Sequence, residues 1–325
     1  MCRWRVFKLI SRSEEEMVAS NEAGEAAYEK TIISPTPLDP VIAAEILKEV
    51  KHIFDDQGIV FWLGSGTCLG CIRENRFIPW DDEMDTASVI GMHGLDEKMI
   101  YRIAKVFKGN GFYPRIRNNP RYMSVAFVKD GIRTDWTCHR IIDGGAIEFP
   151  GVKLPLHIFT QPMEIEFIGQ KFRVPNPPEE YLSLKYGPEW RTPKGPGFES
   201  DVVMKIGRSD NLSRRCKLQR VLSMGMFPRA TSSVKIFDRD GELVSGAEVI
   251  VAGLGRSKTD KHGVAKFYVP NEAYYAMVIS YERHQEVLYE ELLAPRTNFI
   301  YRPGPIVTSE QHYKAGVRAM ALSRE

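Results

Sequence analysis

The chain has 325 residues, of which 43% are hydrophobic and 26% charged; that suggests about two globular domains and excludes wholesale disorder. Its 44 basic and 42 acidic residues leave a formal charge of +2, too little for a surface that coats nucleic acid, and no nucleic-acid partner is expected. The longest uncharged run, Gln57–Ile72, is interrupted by glycines and falls short of the ~18–20 apolar residues of a membrane span.

Met1–Ile10 scatters Arg3, Arg5 and Lys8 among apolar residues without an apolar core or a cleavage site, so it does not read as a secretory signal. Two readings of it stand: a frayed leader, or a short basic segment touching a membrane peripherally. Residues 11–37 are polar and acidic and end at Pro35 and Pro37, which makes 1–37 a poorly ordered lead-in. Structure proper begins near Leu38. Asp39 suits a helix cap and Pro40 a first helical position; Ile42, Ile46, Val50, Ile53 and Phe54 then recur at helical spacing until Gly58.

Ile59–Leu63 reads as a buried strand entering a tight turn, Gly64-Ser65-Gly66-Thr67, with a short helix over Cys68–Arg73. Further expectations are a helix over Asp96–Lys108, strands at Tyr122–Val128, Arg133–Cys138, Met163–Phe167 and Lys171–Val174, and a helix from Pro177-Pro178 through Tyr186. Residues 205–229 hold seven Lys/Arg against one Asp, the strongest local charge bias in the chain. From Ser232 short strands at Val234–Phe237, Ala247–Ala252, Val264–Val269, Tyr275–Tyr281 and Val287–Leu292 alternate with turns at Asp240-Gly241 and Thr259–Gly263, as in a small β-sandwich. The expected division is a lead-in at 1–37, an α+β domain with a mixed sheet and flanking helices at 38–229, a sandwich at 230–304, and a tail at 305–325.

The five cysteines are sparse and odd in number, which argues for a reducing, cytoplasmic setting. Cys68 and Cys71 make a C-x-x-C pair that reads as small core residues; a zinc site would need Cys138-His139 to complete it.

Leu63–Val89 is the stretch that carries chemistry. A Gly-Thr turn opening a helix presents N–H groups and partial positive charge to a phosphate. The acids Asp81, Asp82, Glu83 and Asp85 follow Pro79-Trp80. On a strand, Glu83 and Asp85 share a face, about 7 Å apart, and repel unless a cation lies between them. Hard oxygens favour Mg²⁺ or Mn²⁺ over zinc. Asp81 has the same parity, while Asp82 faces away. An acidic surface turn is the bland reading, but Phe77-Ile78-Pro79-Trp80 is too apolar for a purely solvated loop.

Gly66-Thr67-Cys68-Leu69-Gly70, Arg73 and Phe77-Ile78-Pro79-Trp80-Asp81-Asp82-Glu83-Met84-Asp85 resemble the signature of the LicD/fukutin family, and Pro177-Pro178, Tyr181-Leu182, Tyr186-Gly187 and Trp190 resemble a second block of it. The resemblance covers roughly 40–215. It implies a nucleotidyltransferase fold that moves phosphocholine, ribitol phosphate or a similar group from a CDP-linked donor to a glycan or glycolipid acceptor. Carried over residue by residue, it implies that Gly66 and Thr67 hold nucleotide phosphates, that Glu83 and Asp85 bind Mg²⁺ or Mn²⁺ with Asp135 as third acid, and that Arg73 contacts phosphate. Asp135, or else Asp81, would accept the acceptor's proton. The family usually has Asp where this chain has Glu83.

Trp80, with Trp136 and Trp190, is a candidate for stacking on a base or capping a choline-like ammonium, and equally for ordinary packing. Tyr186 reads first as part of a helix stop, and the resemblance places it at the site. His157, among apolar residues, reads as structural. Residues 232–303 resemble the carboxypeptidase-regulatory-like sandwich, which implies a binding or positioning role. Two other functions remain: nucleotidyl transfer to a small sugar phosphate, or glycan binding by a retired transferase domain.

Overall fold

The computed structural model describes residues 22–118, 121–149, 151–193, 231–270, 272–282, 284–303 and 322–324. Met1–Ile10, the basic run 205–229, the expected domain boundary at 229/230 and most of the tail lie outside the described residues. Packing divides the chain into two units, residues 1–146 with 155–181, and residues 147–154 with 182–325.

The first described element of the first unit is helix α1, Glu22–Ile33. This corrects the expectation that 1–37 is poorly ordered throughout. The helix is weakly amphipathic on its own, and it is held by long-range pairs that local sequence does not advertise. Tyr113 donates to Glu25, Arg117 donates to the Tyr28 hydroxyl, and Arg115 lies 3.2 Å from Glu25. Gly24 fits directly against the Tyr113 ring, where a β-carbon would collide.

Helix α2, Pro40–Asp56, starts as read: Asp39 Oδ1 accepts from the Val41 and Ile42 N–H groups, and Pro40 follows the cap. Its buried stripe of Ala43, Ile46, Leu47, Val50, Ile53 and Phe54 has the expected spacing. Strand β1 is only Trp62–Leu63, shorter than expected; just before it the Val60 carbonyl accepts from the Ser88 hydroxyl. Helix α3, Ser65–Glu74, begins inside the expected turn: Cys68 N–H already donates to the Gly64 carbonyl at 2.8 Å.

There follow β2 (Glu83–Val89), α4 (Glu97–Gly109, capped by Asp96), β3 (Tyr113–Asn118), β4 (Tyr122–Lys129) and β5 (Ile132–His139). The five strands form one sheet in the order β1-β2-β5-β4-β3. Only β2 and β5 run parallel; the other pairs are antiparallel. The sheet is therefore mixed, and with its helices it gives the expected α+β class.

One face of this sheet is dry. Phe54 of α2 and Phe107 of α4 pack with Phe127 and Trp136, with ring centroids 4.8 Å apart for Phe54–Trp136 and 3.8 Å for Phe107–Phe127. The Trp136 indole N–H donates to the Ser88 hydroxyl, so even its polar atom is satisfied within the core. The opposite face carries the acids, and α1 packs on its outer end against Tyr113, Ala126 and Val128.

Strands β6 (Ile141–Ile142), β7 (Gly145–Glu148) and β8 (Val152–Pro155), a short helix α5 (His157–Thr160), and the hairpin β9 (Met163–Phe167) and β10 (Gln170–Val174) precede helix α6, Pro178–Tyr186. The second unit contains two four-stranded sheets. Strands β11 (Thr231–Ile236), β14 (Val264–Tyr268), β17 (Asn298–Tyr301) and β18 (Leu322–Arg324) form one. Strands β12 (Glu248–Val251), β13 (Gly255–Lys258), β15 (Ala273–Tyr281) and β16 (His284–Leu293) form the other. Val234, Ile236, Phe267 and Phe299 from the first meet Val249, Met277, Ile279 and Leu288 from the second in one core, which is the expected sandwich. Its Thr259–Gly263 turn is closed by Asp260 Oδ1, which accepts from the His262 and Val264 N–H groups; those bonds hold the carboxyl below its ordinary pKa.

Candidate functional site

The site is built where α3 starts beside β2. Three hydrogen bonds fix Asp85 there. Its N–H donates to the Thr67 hydroxyl at 2.8 Å, its carbonyl accepts from Gly64 N–H at 3.0 Å, and its Oδ2 accepts from Gly66 N–H at 3.2 Å. The carboxylate thus sits at the positive end of the helix, which stabilises its anion. Thr67, 1% exposed, is occupied in bracing the strand. Ser65, between the two glycines, has φ +36°, a left-handed value that costs a non-glycine residue on the order of 1 kcal/mol. Its N–H donates to the Tyr181 hydroxyl at 2.8 Å, which helps hold the turn in place. Two of the N–H groups expected to meet phosphate are therefore already bonded within the protein.

The parallel pairing of β2 with β5 sets the rest. Asp85 lies opposite Asp135, and Glu83 opposite Arg133. Residues opposite one another on neighbouring strands point to the same face, with backbones about 4.8 Å apart. The outcome is a square of charges, two carboxylates on one edge and an ion pair on the other. Arg133 pairs with Glu83 and reaches within 3.9 Å of Asp135; its side chain is only 10% exposed. Asp81 lies at the mouth of the helix, with its carboxylate where a β-carbon on Gly66 would stand, 2.5 Å from Oδ2. Its carbonyl accepts from Leu38 N–H.

Residues 58–177 match the family model described as LicD/FKTN/FKRP, nucleotidyltransferase domain. This segment is a LicD/FKTN/FKRP-type domain. The chain is also 27% identical over 160 residues to the ribitol-5-phosphate transferase FKTN of Homo sapiens, covering 46% of this chain and 33% of that protein. It is 24% identical over 161 residues to the ribitol 5-phosphate transferase FKRP of Mus musculus, covering 44% and 31%. Over 79 residues it is 33% identical to an uncharacterised protein of Rickettsia typhi, covering 24% of each. The matches thus span about a third or less of the length of these relatives.

Other residues singled out in the sequence fall in different places. Arg73 lies in the last turn of α3, roughly 10 Å along the axis from Gly66, and its guanidinium is held by Glu74 at 2.8 Å. Glu74 also pairs with Arg76, and these two arginines hold its carboxyl below its ordinary pKa, Arg76 contributing most. Trp80 is half-buried in the loop before β2. Trp136 belongs to the dry core on the opposite face, the ordinary packing that is one of its two readings. Tyr186 is buried in the second unit, with the Lys185 ammonium over its ring. His157 is exposed and pairs with Glu180. Cys68 and Cys71 are buried and form no disulfide, and burial pushes the Cys71 thiol up to about 12.

Among the described residues, no three His, Cys, Asp or Glu side chains are gathered in a way that would enclose a metal ion. Of the three acids expected to bind a divalent cation, Asp85 and Asp135 stand opposite one another and Glu83 is paired with Arg133. Two adjacent carboxylates suit Mg²⁺, which keeps water ligands and takes further oxygens from substrate phosphates. Sequence reasoning missed Arg133, although it sits two positions before Asp135 and shares its face. It also missed the Tyr181 contact to Ser65, for which a separation of 116 residues leaves no local signal.

Proposed function

We propose that this domain transfers a phosphate-linked group, of the phosphocholine or ribitol phosphate class, from a CDP-linked donor to a hydroxyl of a glycan or glycolipid precursor. The observation that supports it most is the register of Asp85 against Asp135 at the start of α3, in a segment similar to proteins named as ribitol-phosphate transferases. Asp85 and Asp135 would hold Mg²⁺ or Mn²⁺, with Asp81 close by. When bound, such an ion neutralises charge on the donor pyrophosphate as CMP departs. The chain supplies position and proton transfer. Its three hydrogen bonds hold Asp85 still, so little reorganisation is needed when the phosphates arrive. The acceptor oxygen bonds to the distal phosphorus while the bond from that phosphorus to the CMP oxygen breaks. The hydroxyl proton passes to Asp135. Asp81, at the mouth of α3, is the second candidate for that proton.

The test is nucleotide release from CDP-ribitol, CDP-choline and CDP-glycerol with Mg²⁺ or Mn²⁺ and crude glycan. CMP from one donor, abolished by chelator and in Asp85→Asn of unchanged circular dichroism, is the expected result. Pyrophosphate from CTP and a sugar phosphate would assign nucleotidyl transfer instead. Nucleotide binding without any turnover would reduce the domain to a binding module.

A further inference from the structure

We infer that Glu83 is the counter-ion of Arg133, and that a divalent cation is left to Asp85 and Asp135, with Arg133 as a positioning residue. The inference rests on the metal-dependent reading above and assigns roles within that site. Two observations carry it. The register places Glu83 opposite Arg133 and Asp85 opposite Asp135, so both pairs point to one face of the sheet. The Arg133 side chain, almost entirely buried, is ion-paired with Glu83 and close to Asp135.

A guanidinium in this position cannot shed its proton, and removing it from water requires a matched anion. Glu83 is that anion. Its extra methylene, relative to aspartate, gives it the reach to cross the strand gap, which accounts for glutamate here in physical terms. Arg133 and Glu83 offset one another's charge, and the cation falls to the two aspartates beside them. Without Glu83, the same guanidinium would turn to Asp135 and compete there with a cation.

This makes a rescue experiment decisive. Glu83→Gln and Arg133→Met each change the local charge by one, whereas the double variant leaves it unaltered. Mn²⁺ affinity is read on the full chain by electron paramagnetic resonance of free Mn²⁺, with no substrate present. Glu83→Gln should weaken binding about tenfold, as loss of a supporting residue around a metal site does. Adding Arg133→Met should restore it to within about threefold of wild type, whereas Asp85→Asn or Asp135→Asn should abolish it. A double variant that stays as weak as Glu83→Gln would overturn the inference, because Glu83 would then be a ligand itself.

Urea unfolding of wild type, Glu83→Gln, Arg133→Met and the double variant tests the ion pair independently of metal. Each single variant should lower the midpoint and the double should recover most of the loss, the signature of coupled neighbours. Additive midpoints would sink the pairing. Wild-type protein that binds no Mn²⁺ would refute the metal reading, and the urea cycle would then decide the pairing alone.

Discussion

The two faces of the five-stranded sheet are made by the same strands and could hardly differ more. On β5, Trp136 is wholly buried in a ring of phenylalanines, while Asp135 one residue earlier shares its face with charge. On β2, Met84 is wholly buried between Glu83 and Asp85. A period of two allows a strand to serve as core and as site at once. The dry face fixes the register, and the register aligns the acids. Packing in this sheet is thus part of the chemistry.

Substitutions on the two faces should therefore separate stability from activity. The largest loss is expected on the dry face: Trp136→Ala should cost about 3–5 kcal/mol of unfolding free energy, read as a collapse of the thermal transition, and activity should fall with it. On the acidic face, Asp85→Asn should lower the rate of CMP release at least about a hundredfold, several kcal/mol of transition-state stabilisation, while the melting temperature moves little. A melting temperature that fell as far as in Trp136→Ala would erase the distinction.

Two glycines of α3 sharpen the contrast. A β-carbon on Gly70 would lie 2.4 Å from the Arg76 carbonyl, a backbone atom that cannot step aside, so Gly70→Ala should destabilise by about 1–3 kcal/mol. At Gly66 the obstacle is the movable end of Asp81. Gly66→Ala should spare stability and slow turnover by displacing that carboxylate, a split that urea midpoints and initial rates would show. The smallest effect concerns pH. Burial raises the Cys71 thiol to about 12, so the unfolded chain loses this proton first. Stability should decline as pH rises past the ordinary thiol value of about 8.5. Urea midpoints at pH 8 and pH 10 would show the decline, and it should be smaller in Cys71→Ala.

Much of this was legible in the sequence because it is local. The Asp39 cap, the stripe on α2, the parity of Glu83 with Asp85 and the alternation of the sandwich strands follow from spacing alone. The strand partners of Glu83 and Asp85 do not: that Arg133 faces one and Asp135 the other depends on a parallel pairing across 50 residues. Strand β3 was missed because Pro114, Arg115 and Arg117 spoil its apolar pattern; its charges are satisfied by α1. That helix was missed for the reciprocal reason. Strand β17 pairs parallel with β11, and a parallel partner so far along the chain leaves no turn signature to read.

Helix α1 also bears on how the protein behaves in concentrated solution. Strand β3 is the last strand of its sheet among the described residues, and none of these adds a ladder to its outer edge. Tyr113, Ala126 and Val128 would be wetted if α1 were removed. An unprotected border strand with an apolar flank invites a second copy to add on, and repetition of that contact leads to aggregates. By covering that flank, the helix acts as a guard against self-association, and trimming the chain to residue 34 would trade a shorter polypeptide for a sticky one.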